Sequence, residues 1–61
     1  MFVKLHRSHE DREFLLNLDH VLSICPTDYG CSLWIGDDEF YEANETLDEI
    51  VTLIKQAEKE G

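Results

Sequence analysis

Long hydrophobic runs are missing from this chain of 61 residues. No apolar run is longer than three residues, so no segment has the length of a membrane-spanning helix. The N-terminal sequence MFVKLHRSHEDR turns polar within four residues and so lacks the apolar stretch of a secretory signal peptide. We therefore expect a cytoplasmic protein that does not contact a membrane.

Cysteine and glycine are also scarce, which argues against several kinds of site. Cys25 and Cys31 do not have the C-x2-C spacing of a zinc ribbon. Without a signal peptide, we expect them to be free thiols that act as small apolar residues. The three glycines are isolated, so they form no phosphate-binding loop. No motif places a Ser or Cys nucleophile beside a base, and we expect neither an enzyme nor a cofactor.

Histidines and carboxylates are present without a metal-binding pattern. His6 and His9 fall at a strand end and in a connector, and His20 has no obvious partner, so three exposed imidazoles are expected instead of a zinc site. The acidic stretch DDEFYEANETLDE lacks the central glycine of a calcium-binding EF-hand loop. The sequence thus predicts no metal site.

Positive charge is the scarcest chemical feature. The chain has five Lys or Arg residues against fourteen Asp or Glu residues, a net charge of −9. Residues 1–12 have a net charge of +1 and residues 13–61 a net charge of −10. Direct binding to nucleic acid is disfavoured because it depends on basic side chains. Two interpretations remain open: a basic protein partner, or acidity that only keeps a small domain soluble.

Apolar residues alternate with polar ones in the first two thirds of the chain, which is typical of β-strands. The alternation predicts strands at FVKLH, EFLLNL, DHVLSI, CSLWI and EFYEA. Pro26 is expected to end the third strand. Short connections between consecutive strands favour an antiparallel meander of four to five strands, within one domain spanning residues 1–61.

The register of the last hairpin follows from which side chains would be buried. Pairing Ile35 with Phe40 would turn Glu42 toward the core beside Leu33. Pairing Ile35 with Tyr41 and Leu33 with Ala43 leaves only uncharged residues inside. We predict the second register.

The periodicity changes to that of an α-helix after Thr46. The sequence TLDE has the form of a capping box, in which Thr46 and Glu49 satisfy each other's backbone amides. The residues predicted to face the sheet are Leu47, Ile50, Val51, Ile54 and Ala57. We therefore expect an α+β fold whose single C-terminal helix packs on one sheet face.

One helix can cover only one face of such a sheet, and apolar residues are predicted on both. Those predicted to face the helix are Val3, Leu5, Phe14, Leu16, Leu33, Ile35, Tyr41 and Ala43. Those predicted to face away are Phe2, Leu15, Leu22, Trp34 and Phe40. Exposed apolar residues grouped on one face indicate an interface, and Trp is a frequent interface anchor.

Seven carboxylates are concentrated in GDDEFYEANETLDE, residues 36–49. Asp48 and Glu49 suit a helix start, and Asp37, Asp38 and Glu39 suit a hairpin loop. The carboxylates nearest the predicted apolar face are Asp37, Asp38, Glu39 and Glu42, and we include them with Phe2, Leu15, Leu22, Trp34 and Phe40 as candidate partner-binding residues.

The strings FVKLHR, EFLLNLDHVLSI and YEANETLDEIVTLI resemble small flagellar and swarming-motility proteins of the FlbD type over nearly the whole chain. The matching residues are Phe14, Leu16, Asn17, Asp19, Ile24, Tyr41, Glu45, Thr46, Glu49 and Ile50. The chain departs from that pattern at His20, at Leu22 and in the acidic turn GDDE. The resemblance implies a role in a motility or regulatory system.

The sequence thus predicts a non-enzymatic protein-interaction module that docks through the outer sheet face. Two alternatives are an acidic nucleic-acid mimic, of the kind found in phage or mobile elements, and a homodimer whose sheets pair face to face.

Overall fold

A computed structural model describes residues 1–8 and 11–60, without the side chain of Glu60, and has an α+β fold. The strands are β1 (Phe2–His6), β2 (Glu13–Asn17), β3 (Ser23–Thr27), β4 (Gly30–Trp34) and β5 (Phe40–Ala43). A short 3-10 helix (Leu18–His20) precedes β3, and the α-helix α1 (Leu47–Glu60) ends the chain. The predicted fold class is confirmed, with every strand pair antiparallel and α1 packed on the strands.

The strands are divided between two sheets that meet at a seam. One sheet pairs β1 with β2, and the other has the order β3-β4-β5. At the seam, Arg7 forms an isolated bridge with Ala43. The Asn44 amide donates to the His6 carbonyl at 2.9 Å, and the Ser8 amide donates to the Glu42 carbonyl at 3.1 Å. The end of β1 thus continues along β5 and holds the two sheets together.

Gly30 allows the backbone to approach closely beside this seam. Its φ of +151° is one that residues with side chains rarely adopt. A Cβ atom here would collide with the carbonyl oxygen of Ala43 and lie 2.9 Å from that of Asn44. The start of β4 can therefore pass the end of β5 only without a side chain at this position.

Both sheets and the helix contribute to one core. Its buried apolar residues are Val3, Leu5, Leu16, Cys31, Leu33, Ala43 and Ile50. The prediction of an inward face is confirmed for Val3, Leu5, Leu16, Leu33 and Ala43. Phe14 and Tyr41 are partly buried and pack against this core. Ile35 does not belong to the core, because β4 ends at Trp34 and the Ile35 amide closes the hairpin loop by donating to Glu39 at 3.0 Å.

The predicted register of the last hairpin is wrong by two residues. Leu33 pairs with Tyr41, and Cys31 pairs with Ala43. A shift of two positions keeps every side chain on its predicted face, because side chains alternate with a period of two. The burial pattern therefore identified the faces correctly but could not distinguish two registers of the same parity.

The third strand begins later than predicted and continues through Pro26. Asn17 caps the preceding 3-10 helix, its side-chain oxygen accepting from the Asp19 amide at 3.1 Å. Strand β3 then runs from Ser23 to Thr27. It is the edge strand of its sheet, and an edge strand tolerates proline because one side of its backbone needs no donor.

The predicted capping box at the start of α1 is confirmed. The Glu49 amide donates to Thr46 Oγ1, and the Thr46 amide donates to Glu49 Oε1, each at 3.2 Å. The buried stripe of the helix is rotated relative to the prediction. Ile50 is buried and Ile54 is partly buried, but Leu47 and Val51 are exposed.

Leu53, which the predicted stripe omitted, packs against the core instead. The helix contacts mainly β1 and β3, and this packing centres the buried stripe on Ile50. At 100° per residue, Leu53 and Leu47 lie about 60° from Ile50 on opposite sides, and Val51 lies about 100° away on the side of Leu47. The buried stripe therefore extends from Ile50 toward Leu53.

We predict that Gly30→Ala lowers the free energy of unfolding by about 3 kcal/mol, because it adds both backbone strain and a steric clash. The matched control is Gly36→Ala, where the new Cβ would meet only Glu39 Cβ at 3.9 Å. Urea unfolding followed by circular dichroism measures both variants. Equal effects of the two substitutions would contradict the close approach at the seam.

We predict that Thr46→Ala lowers the free energy of unfolding by about 1 kcal/mol, because it removes the helix cap. Thr52→Ala is the control, since the Thr52 hydroxyl only donates to the Asp48 carbonyl one turn earlier in the helix. The same unfolding assay should find Thr52→Ala close to the wild type. A loss in Thr52→Ala as large as that in Thr46→Ala would argue against the cap.

Candidate partner-binding surface

Trp34 and Phe40 form a stacked aromatic pair on the face of the β3–β5 sheet that points away from the core. They are cross-strand partners, with ring centroids 4.6 Å apart and ring planes inclined by 32°. Their neighbours along the strands, Leu33 and Tyr41, point toward the core. Trp34 is half-buried and Phe40 is 44% exposed, and neither belongs to the core cluster. This face, opposite the one that the core occupies, is called the outer face below.

Carboxylates surround the aromatic pair. Glu42 is exposed and follows Phe40 by two positions on the same face of β5. Asp37, Asp38 and Glu39 are exposed in and beside the hairpin loop that connects the two aromatic residues. We call the set Trp34, Phe40, Glu42 and the carboxylates of residues 37–39 the β4–β5 patch. The structure thus brings together six of the nine candidate partner-binding residues.

Phe2 and Leu15 lie on the outer face of the other sheet. Each is 65% exposed. Phe2 pairs with Asn17 and Leu15 pairs with Lys4, so the two apolar side chains are diagonal neighbours. The seam separates them from the β4–β5 patch, and the nine candidate residues therefore do not form one continuous surface.

Leu22 does not lie on the outer face, which corrects the prediction. It precedes β3, is 74% exposed, and lines a cavity of about 320 Å³ with the side chain of Ile54 from α1. The remaining lining residues are Leu18, Val21, Ser23 and Ile24. Leu22 precedes Ile24, which packs against the core, by two positions, so the alternation of side chains places Leu22 on the inner side.

Arg7 covers two aromatic rings at the seam. Its guanidinium carbon lies 5.1 Å from the centroid of the Phe14 ring and 5.9 Å from that of the Tyr41 ring. The two rings are 5.7 Å apart. A cation over an aromatic face is attracted by the ring quadrupole. Arg7 therefore covers the part of the inner face at the seam.

Two carboxylates of the acidic stretch have hydrogen-bond partners within the fold, and a third lies at the start of α1. Glu49 completes the helix cap, and Asp48 lies in the first turn of α1, where the helix dipole favours negative charge. Glu45 is 11% exposed and binds His6 twice. Its Oε1 accepts from the His6 amide at 2.9 Å, and its Oε2 lies 2.7 Å from His6 Nδ1.

The contact between His6 and Glu45 changes the pKa of both groups. The hydrogen bond to Glu45 raises the pKa of His6, with Glu13 acting in the same direction and burial and Lys4 opposing it. Burial alone would raise the pKa of Glu45, but the hydrogen bonds from the His6 ring and amide outweigh it and lower that pKa. The imidazole is thus not an isolated exposed group, and the pair joins β1 to the start of α1.

The two cysteines are in different environments. Both are free thiols, as predicted. Cys31 is fully buried in the core, and burial raises the pKa of its thiol. Cys25 is exposed on β3 and does not act as a core residue.

Neither a metal centre nor a membrane helix is found in the described part of the chain. Within residues 1–8 and 11–60, no three His, Cys, Asp or Glu side chains meet in a metal-binding arrangement. His9 lies outside the described residues. No described helix is both long enough and apolar enough to cross a membrane.

The exposure of the apolar residues Leu47 and Val51 was not predicted from the sequence. The two residues lie one turn apart on α1 and are 38% and 41% exposed. The helical period identified them as apolar, but it could not show which edge of the apolar stripe would leave the core. They provide matched exposed positions away from the β4–β5 patch.

We predict that the stability contributed by the His6–Glu45 pair is greatest between about pH 4.5 and 6.5, the ordinary pKa values of the two groups. Because the pKa of His6 is raised, its contribution is complete below about pH 6.5 and is lost as the pH rises through the folded-state pKa. Because the pKa of Glu45 is lowered, its contribution is present above about pH 4.5 and is lost as the pH falls through the folded-state pKa.

The measurement is the melting temperature of wild type and His6→Gln at pH 5.5 and pH 8.5. We expect the wild type to exceed the variant by more at pH 5.5. His20→Gln, which alters an exposed imidazole on the 3-10 helix, controls for general effects of replacing a histidine by glutamine. A difference between wild type and His6→Gln that is the same at both pH values would refute the ion pair.

No protein-family model matches the chain. Likewise, no curated protein and no solved structure matches it. The β4–β5 patch and the charges around it are therefore the features on which a functional proposal can rest.

Proposed function

We propose that this chain is a non-enzymatic, cytoplasmic protein-interaction module that binds a basic partner segment through the β4–β5 patch. The main support is the stacked pair of Trp34 and Phe40, which lies outside the core and next to the exposed carboxylates of the β4–β5 patch. The patch offers a flat aromatic surface and negative charge, but no arrangement of nucleophile and base. Binding is therefore the activity that suits its chemistry best.

The aromatic pair suits an Arg-containing partner in particular. Trp is enriched among residues that dominate binding energy. A guanidinium group can lie flat on an indole ring and gain about 0.5–2 kcal/mol, depending on how far it is desolvated. Because Trp34 is already held against Phe40, little side-chain freedom is lost on binding.

The surrounding charge supports a basic partner over an acidic or neutral one. No Lys or Arg occurs between Arg12 and Lys55, so the whole of β4, its loop and β5 is free of positive side chains. Asp37, Asp38 and Glu39 extend the negative potential to one end of the aromatic pair. Such a distribution increases the rate at which a basic segment associates and disfavours acidic competitors.

Nucleic-acid mimicry is less well supported. A mimic needs carboxylates arranged for recognition by a partner's basic groove, whereas Glu45 and Glu49 are already bound within the fold. Only the loop carboxylates and Glu42 remain beside the aromatic pair. The resemblance to FlbD-type proteins further suggests that the partner belongs to a motility or regulatory system.

We predict that an Arg-rich peptide quenches or shifts the fluorescence of Trp34, which is the only tryptophan in the chain. Phe40→Ala should weaken binding about tenfold, because it removes one anchor and the support of the other. Val51→Ala is the matched control, since Val51 is 41% exposed and Phe40 is 44% exposed. Calorimetry with Trp34→Ala provides a readout that does not depend on the fluorophore.

The salt dependence separates the proposal from mimicry. Docking on the aromatic pair predicts that affinity for the peptide falls only moderately between 50 and 300 mM salt. It also predicts that the triple variant Asp37→Lys/Asp38→Lys/Glu39→Lys, which reverses the loop charges, binds the peptide more weakly but still measurably. Mimicry predicts a steep dependence on salt and complete loss on charge reversal. If Phe40→Ala and Trp34→Ala bind as well as wild type, the proposed docking surface is wrong.

A further inference from the structure

The outer edge of β2 presents backbone hydrogen-bonding groups that pair with no other strand among the described residues. The Arg7 amide donates to the Arg12 carbonyl at 2.9 Å, and the Leu18 amide donates to the Met1 carbonyl at 2.8 Å. Because the hydrogen-bonded positions alternate along an antiparallel ladder, the backbone groups of Glu13, Leu15 and Asn17 point away from β1. No other described strand pairs with this side of β2.

Because the seam joins the end of β1 to β5, β2 and β3 are the strands farthest from the seam. Their edges differ in how they are protected against the addition of another strand. Strand β3 contains Pro26, and proline within an edge strand hinders the addition of another strand. Strand β2 has the sequence EFLLN, which contains no proline, glycine or lysine. Apart from its short length and the charge of Glu13, its edge lacks the features that commonly prevent strand addition.

The charge distribution identifies a second copy of this chain as the partner for that edge. Residues 1–17 contain three basic and three acidic side chains and so have no net charge, whereas residues 18–61 carry the whole net charge of −9. Two copies that met through any surface of the acidic part would repel each other. The β1–β2 sheet is the part of the molecule where two copies can approach at low electrostatic cost.

The sequence of β2 is self-complementary when two copies run antiparallel about Leu15. Leu15 then faces Leu15 of the second copy, Glu13 faces Asn17, and Phe14 faces Leu16. No two like charges are opposed, and the outward groups of residues 13, 15 and 17 can form about six backbone hydrogen bonds between the copies. The Lys4–Glu13 ion pair, at 3.3 Å, also reduces the charge of Glu13 at the contact.

We propose that this chain forms a homodimer by antiparallel pairing of the β2 edges, which creates a continuous four-stranded sheet. This contact lies on a different sheet from the β4–β5 patch, so each dimer displays two such patches. The dimer does not depend on the proposed basic partner. If dimerisation is lost, binding of the partner can still be measured, and if binding of the partner is lost, dimerisation can still be measured. It also differs from sheets packed face to face, because the outer faces remain exposed.

Sedimentation equilibrium from 5 to 500 µM tests the dimer. We expect wild type to reach twice the monomer mass and Leu15→Pro to remain a monomer. The amide that the proline removes points away from β1, so the β1–β2 ladder should persist, and circular dichroism checks this. Trp34→Ala should dimerise like wild type. A monomeric wild type across this range, or a dimeric Leu15→Pro, would overturn the proposal.

A second pair of variants gives an answer if Leu15→Pro does not fold. Leu15→Lys places two positive charges opposite each other across the dimer axis and should weaken dimerisation at least tenfold at low salt. Phe2→Lys makes the same change of charge at an equally exposed site. That site lies about 20 Å from its counterpart, because the two positions are three strand spacings apart and offset by about four residues along the strands. Equal weakening by both variants would count against pairing centred on Leu15.

Discussion

The fold depends on the burial of one residue from each of its three parts at a common point. Leu5 comes from the β1–β2 sheet, Leu33 from the β3–β5 sheet and Ile50 from α1, and all three are fully buried in the same core cluster. A chain this short buries only about 60% of its unfolded surface, so little apolar material remains for a second core. The single helix therefore covers the inner face alone, and the stacked pair of Trp34 and Phe40 remains outside.

The carboxylates of the acidic stretch, residues 36–49, lie in two different environments. Glu45 and Glu49 hold the start of α1 through hydrogen bonds to His6 and Thr46. Among the described residues, the loop carboxylates at residues 37–39 are exposed, and they lie next to the aromatic pair in the chain. A segment that the sequence presents as one acidic cluster is thus divided by the fold into a part that holds the start of α1 and a part that is exposed beside the aromatic pair. In contrast to the acidic segment, residues 1–17, which include the β1–β2 sheet, have no net charge.

Local signals explain what the sequence could predict. The capping box of Thr46 and Glu49 spans one helical turn, and the alternation in FVKLH identifies Val3 and Leu5 as core residues without reference to the rest of the chain. The errors concern contacts between distant segments. No local pattern relates His6 to Glu45, which lies 39 residues away, or places the Arg7 guanidinium over Phe14 and Tyr41. The position of Leu22 and the rotation of α1 depend on how the helix meets β3. The sequence therefore predicted that Trp34 and Phe40 share the outer face, but it did not predict that Phe2, Leu15 and Leu22 lie apart from them.

The most direct test of this account compares the free energies of unfolding of Ile50→Ala and Trp34→Ala. Removing Ile50 from the junction of the three parts should cost about 3 kcal/mol, most of the stability of a domain of this size. Removing Trp34 should cost about 1 kcal/mol, mainly its stacking on Phe40. If Trp34→Ala were as destabilising as Ile50→Ala, the aromatic pair would belong to the core, and the division between a covered inner face and an exposed outer face would be contradicted.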